Sequence, residues 1–113
     1  MKQIEFNVPL VVNTEVVLSV SFPLFLSTWS EERNEIFAIV PHDLNSRWNP
    51  FRIIEIRQYG DSWKIYESLS TEKNVGEILA RKHTGELMEI TRTEFIVLFN
   101  EAIHSYQSLI NLI

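Results

Sequence analysis

Three histidines, His42, His83 and His104, are the first residues to weigh for chemistry. His42 precedes Asp43, and a histidine beside a carboxylate is a pairing that proton transfer and metal ligation both use. Neighbours on an extended strand point to opposite sides, however, so adjacency alone does not let them share a proton or an ion. His83 falls in a turn-like His-Thr-Gly run, and His104 falls on the polar side of a helical pattern, where solvation is the simplest role. Serine, histidine and aspartate are all present, but no nucleophile-elbow pattern surrounds any serine. The three glycines, Gly60, Gly76 and Gly85, stand too far apart for a phosphate loop. Adjacent carboxylates occur only at Glu31-Glu32, which reads as a charged turn; a glycosidase-type pair would need tertiary contact. The absence of cysteine excludes disulfides, thiolate metal sites and a cysteine nucleophile. No catalytic residue, metal or cofactor is expected, and the chain does not read as an enzyme.

The aromatic residues point toward binding. Trp29, Trp48 and Trp63 lie in or beside loops, and Tyr59 precedes the Gly60 turn. Tryptophan and tyrosine in such places are enriched at interface hot spots. Trp48 stands out, because it sits between Arg47 and Asn49-Pro50 inside the longest loop. Net charge is −5, which argues against nucleic acid, where basic surface supplies most of the affinity. Tyr59, Trp63 and Tyr66 with Arg52, Arg57 and Lys64 do supply the ingredients of an aromatic RNA platform on one hairpin. No recognition motif accompanies them. Charge is uneven along the chain: residues 1–46 carry −4, residues 47–82 carry +2 and residues 83–113 carry −3.

These features give two expectations. The leading one is a small acidic protein that binds another protein, such as an inhibitor, antitoxin or toxin-immunity protein that neutralises a basic enzyme. Its candidate contacts are Glu31, Glu32, Asp43, Trp48, Asp61 and Trp63. The alternative is a ligand-binding or enzymatic domain with a pocket between sheet and helix near His42 and Trp48. Val97 and Leu112 lie off the apolar stripe of the last helix and suggest a homodimer through that helix or an edge strand. No signal-peptide pattern opens the chain, because Glu5 and Asn7 interrupt any apolar run. The longest uncharged run, residues 16–30, is too short to span a bilayer as a helix. A cytoplasmic protein is expected, away from membranes.

The elements that would hold these residues are legible in part. With 113 residues, one domain is expected over 1–113, strand-rich to residue 90 and closed by a helix over about 92–112. Ile4, Phe6 and Val8 alternate with polar residues, and residues 16–22 alternate likewise, so two strands could meet around a turn at Asn13-Thr14. Glu35–Val40, a short apolar run, reads as a strand and Pro41–Pro50 as a loop. Phe51–Tyr59 and Trp63–Glu67 form a hairpin around Gly60-Asp61-Ser62. Ser70–Asn74 reads as loop. Residues 75–83 and 86–90 suit two strands joined at His83-Thr84-Gly85, although 75–83 also fits a helix. Thr91 and Glu94 form a capping box, with Ile90 and Phe95 as its hydrophobic staple. From Phe95 an apolar stripe continues through Phe99, Ala102, Ile103, Tyr106, Leu109 and Ile110 to Ile113. The predicted class is α+β: a mostly antiparallel sheet of five to seven strands with the C-terminal helix across one face, core to its last residue.

Overall fold

The computed structural model describes residues 2–10, 14–28 and 33–113. The predicted turn at Asn13, together with Trp29, Glu31 and Glu32, lies outside the described residues. Period-two alternation builds β1 (Lys2–Leu10) and β2 (Thr14–Phe22), which pair antiparallel with Phe6 opposite Leu18. Five further strands form a second sheet: β3 (Leu24–Thr28), β4 (Arg33–Pro41), β5 (Phe51–Tyr59), β6 (Ser62–Ser70) and β7 (Leu87–Glu89). Their order is β6-β5-β4-β3-β7, and every neighbouring pair is antiparallel. The α+β class is as expected, with its seven strands divided between a hairpin and a five-stranded sheet.

Both faces of the larger sheet are covered at its centre, whereas the edge strand β6 is largely exposed. In β4 the four consecutive residues Ile36, Phe37, Ala38 and Ile39 are all buried, as a strand between two layers requires. On one face Leu24, Leu26, Phe37, Ile39, Phe51 and Ile53 pack under the β1–β2 hairpin and under Val75 and Leu79 of α1 (Glu72–His83). Phe6, Phe22 and Phe51 form a ring cluster there, with centroids 5.1 to 5.6 Å apart. On the opposite face Ile36, Ala38 and Ile56 meet Phe95 and Ala102 of α2 (Arg92–Ile110).

Two expectations are corrected. Residues 75–83 are helix, not strand, and the segment read as loop from Ser70 ends β6 and caps α1. Thr71 Oγ1 accepts from the Asn74 backbone N–H at 3.2 Å. The His83-Thr84-Gly85 turn is the helix end rather than a hairpin. Gly85 N–H donates to the Lys82 carbonyl at 3.1 Å and Glu86 N–H to the Arg81 carbonyl at 2.9 Å, with Gly85 at φ +87°. That pair of bonds is a Schellman closure, which favours glycine at its left-handed residue. β7 is accordingly a short strand of three residues.

The second correction concerns α2. Its start is as predicted: Thr91 Oγ1 accepts from Glu94 N–H at 3.1 Å, Glu94 Oε1 accepts from Thr91 N–H at 3.3 Å, and Ile90 and Phe95 are buried in one cluster. The stripe does not stay in the core, however. Phe95 and Ala102 are buried, Phe99, Ile103 and Tyr106 are half-buried, and Leu109, Ile110, Leu112 and Ile113 are exposed. The helix crosses the sheet and outruns it.

Candidate partner-binding surface

The residues from His42 to Pro50 join β4 to β5, and backbone bonds fold them back on themselves. His42 N–H and Asp43 N–H both donate to the Pro50 carbonyl, at 2.9 and 3.2 Å, and Ser46 N–H donates to the Asp43 carbonyl at 2.9 Å. Asp43 Oδ1 accepts from Asn45 N–H at 3.2 Å, and Ser46 Oγ accepts from Asn49 N–H at 3.0 Å. Asp, Asn and Ser side chains hold turns in this way because their short polar groups reach nearby backbone. Pro50 is buried and Leu44 packs against the first core, so the loop is anchored at both edges.

What this scaffold displays is Trp48, 67% exposed, with the Arg47 guanidinium 5.2 Å from the ring centroid. Beside the loop lies an apolar hollow of about 240 Å³ lined by Ile4, Leu44, Pro50, Phe51 and Glu72. An exposed indole, an arginine, two carboxylates (Asp43 and Glu72) and an apolar hollow thus share one end of the molecule. His42 is exposed on the same loop.

The structure brings only part of the predicted contact set together. Asp43 and Trp48 share the loop. Asp61 is exposed in the β5–β6 turn, where Gly60 adopts φ +59°. That turn lies at the other end of β5, nine residues and roughly 30 Å away at about 3.4 Å per residue. Trp63, opposite Gln58 in the ladder, is half-buried against the α2 cluster. Glu31 and Glu32 lie outside the described residues. The aromatic platform is divided as well: strand alternation places Tyr66, Arg57 and Lys64 on one face and Trp63 and Arg52 on the other. Two of its cations are also engaged, Arg57 by Glu55 and Arg52 by Glu67 at 3.3 Å.

A second feature, unseen in the sequence, is the charged groove between α1 and the sheet. It has a volume of about 290 Å³, with Phe37, Glu55 and Arg57 on the sheet side and Asn74, Glu77, Ile78 and Arg81 on the helix. Arg81 donates from Nη1 to Glu35 at 3.2 Å and from Nε and Nη2 to the two oxygens of Glu86, at 2.9 and 3.1 Å. Those bonds raise the Arg81 pKa, and the hydrogen bonds from Arg81 hold the Glu86 carboxyl below its ordinary range. Arg57 is likewise raised, first by its hydrogen bond to Glu55, and lies 4.8 Å from the Tyr66 ring centroid. Each guanidinium already serves carboxylates of its own chain. The network therefore pins α1 to β4 rather than presenting free cations to an anion. No local signal could have revealed it, since Glu35 and Arg81 stand 46 positions apart.

Among the described residues, no three His, Asp or Glu side chains gather as metal ligands would, and no helix is long and apolar enough to cross a membrane. Compared with protein-family models, curated proteins and solved structures, the chain gives no match.

Proposed function

We propose that the chain works by binding another protein through the loop end of the sheet, in the manner of an inhibitor or immunity protein that neutralises a basic enzyme. The observation that carries this reading is Trp48, held 67% exposed on a loop fixed by its own hydrogen bonds. An indole presented on a preorganised loop loses little conformational freedom on binding and buries a large apolar area. Asp43 and Glu72 beside it, in a chain of net charge −5, would steer a basic partner toward that end.

The test is calorimetric titration against the products of neighbouring genes, basic ones first. Trp48→Ala should weaken binding about 30-fold, the hot-spot level of roughly 2 kcal/mol. Asp43→Lys should slow association, most at low salt, while Asp61→Lys at the far end should change little. A tight complex indifferent to both Trp48→Ala and Asp43→Lys would place the contact elsewhere. Absence of binding to every neighbour would remove the reading.

A further inference from the structure

The overhanging end of α2 bears on assembly. Phe95 packs at a tilt against Phe25 of β3 with ring centroids 5.4 Å apart, and Tyr106 reaches β6, where its hydroxyl accepts from Ile65 N–H at 2.9 Å. Those eleven residues rise roughly 16 Å along a helix. Three strand spacings, from β3 to β6, come to about 14 Å. The helix thus spends its length crossing the sheet and reaches the edge strand at Tyr106. Leu109 and Ile110, 53% and 67% exposed, lie a further ~5 Å along the axis. Together with Leu112 and Ile113 they form an apolar patch beyond the last strand.

We infer that this patch is a two-fold contact with a second copy of the chain, in which the ends of α2 pair antiparallel across the β6 edges. Three observations select that occupant. Residues 105–113 (Ser-Tyr-Gln-Ser-Leu-Ile-Asn-Leu-Ile) contain no charged side chain, although the chain carries 25 charged residues and a net −5. A partner chosen by charge has nothing to grip here. An isologous contact, by contrast, needs a patch that tolerates itself, and in an acidic protein that means a neutral one. Second, Tyr106 holds the Ile65 N–H, which closes the middle of the edge to an added strand and leaves helix as the free surface. Third, four such side chains offer on the order of 100 Å² each, and Gln107, Asn111 and the strand edge beside them bring the total across two copies to about 1,000 Å², the low end for specific association. The result is a weak, concentration-dependent dimer. It is independent of the Trp48 loop and stands or falls apart from it.

Sedimentation equilibrium on the full chain should show a mass rising with concentration from 13.3 kDa toward twice that value. Ile110→Asp combined with Leu112→Asp should raise the dimer dissociation constant at least about tenfold. The thermal unfolding of dilute protein, where the dimer has dissociated, should stay nearly unchanged. Because the chain has no cysteine, Ile110→Cys provides a clean second readout. Mild oxidation should link it into a covalent dimer faster than Val17→Cys, an exposed control on the β1–β2 hairpin. A monomer at every concentration, a dimer unaffected by the two aspartates, an open-ended polymer, or equal cross-linking at positions 110 and 17 would each overturn the inference.

Discussion

Cutting α2 at its two ends should have unequal consequences. Phe95 is buried, packs at a tilt against Phe25 with centroids 5.4 Å apart and stacks on Phe99 with centroids 6.1 Å apart. Phe95→Ala removes a core ring and leaves a cavity, at a cost of ~3–5 kcal/mol. Deleting Leu109 to Ile113 removes more atoms but less burial. Leu109 and Ile110 are more than half exposed, and Leu112 and Ile113 contribute almost no buried surface. With full burial of a leucine or isoleucine worth about 1.5–3 kcal/mol, what remains covered at 109 and 110 amounts to ~1–2 kcal/mol, including some fraying of the final turn. For a domain of this size that is a fall in Tm of roughly 5–10 °C. Urea unfolding of dilute protein measures both variants on one scale, with the slope m checked for constancy. A deletion as costly as Phe95→Ala would show that the tail is core after all and refute the crossing geometry. A Phe95→Ala cost below about 1 kcal/mol would show that α2 does not close the second face.

Three further outcomes follow from the same contacts. Trp63→Ala should destabilise the fold by about 2–3 kcal/mol because Trp63 packs on the second core, whereas Trp48→Ala should stay within ~0.5 kcal/mol; chemical denaturation of the two variants checks this. Tyr106→Phe should cost ~0.5–1.5 kcal/mol and speed amide exchange at Ile65, since it removes the acceptor for that edge N–H. Glu86→Gln should destabilise at neutral pH, and its difference from wild type should close in acid. The folded-state pKa of Glu86 is depressed by Arg81, so its contribution is complete above the unfolded value of about 4.3 and is lost as pH falls through the lower folded value. Urea titrations between pH 7 and pH 3 follow this, and a gap that widens in acid would contradict the sign.

Local signals proved readable and distant ones did not. The start of α2 is written within six residues, Ile90 to Phe95, because a capping box and a staple close over a single helical turn. The β5–β6 hairpin is local in the same sense, and its ladder follows from the Gly60 turn. α1 departs from the strand expectation because Gly76 lowers helix propensity and Gly85 imitates a hairpin turn. Gly76 lies within the helix and Gly85 follows its C-cap. A Cβ at Gly76 would meet only the Asn7 carbonyl, at an ordinary 3.8 Å, and Gly85 supplies the left-handed residue of the C-terminal closure. Burial of Val75 and Leu79 where α1 packs on β1 and β7 decides in favour of helix, and that is tertiary information.

The candidate contacts divide along the same line. Asp43 and Trp48 come together because only four residues separate them within one self-bonded loop. Asp61 and Trp63 are as near one another in sequence, yet strand parity decides their fate. Trp63 pairs with Gln58 and shares the face of Ile54 and Ile56, which α2 covers, while Tyr66 falls on the opposite face with Arg57. Composition could nominate tryptophans for a surface, but only knowing which face the last helix covers could withdraw Trp63 from it. The limit of α2 as core has the same origin. The apolar stripe continues unbroken past Tyr106, whereas the sheet beneath it ends at β6, and the width of a sheet depends on strand order rather than on the periodicity of the helix lying across it. An apolar stripe longer than the sheet it crosses is covered only in part by its own fold, and the uncharged residues 105–113 are the excess.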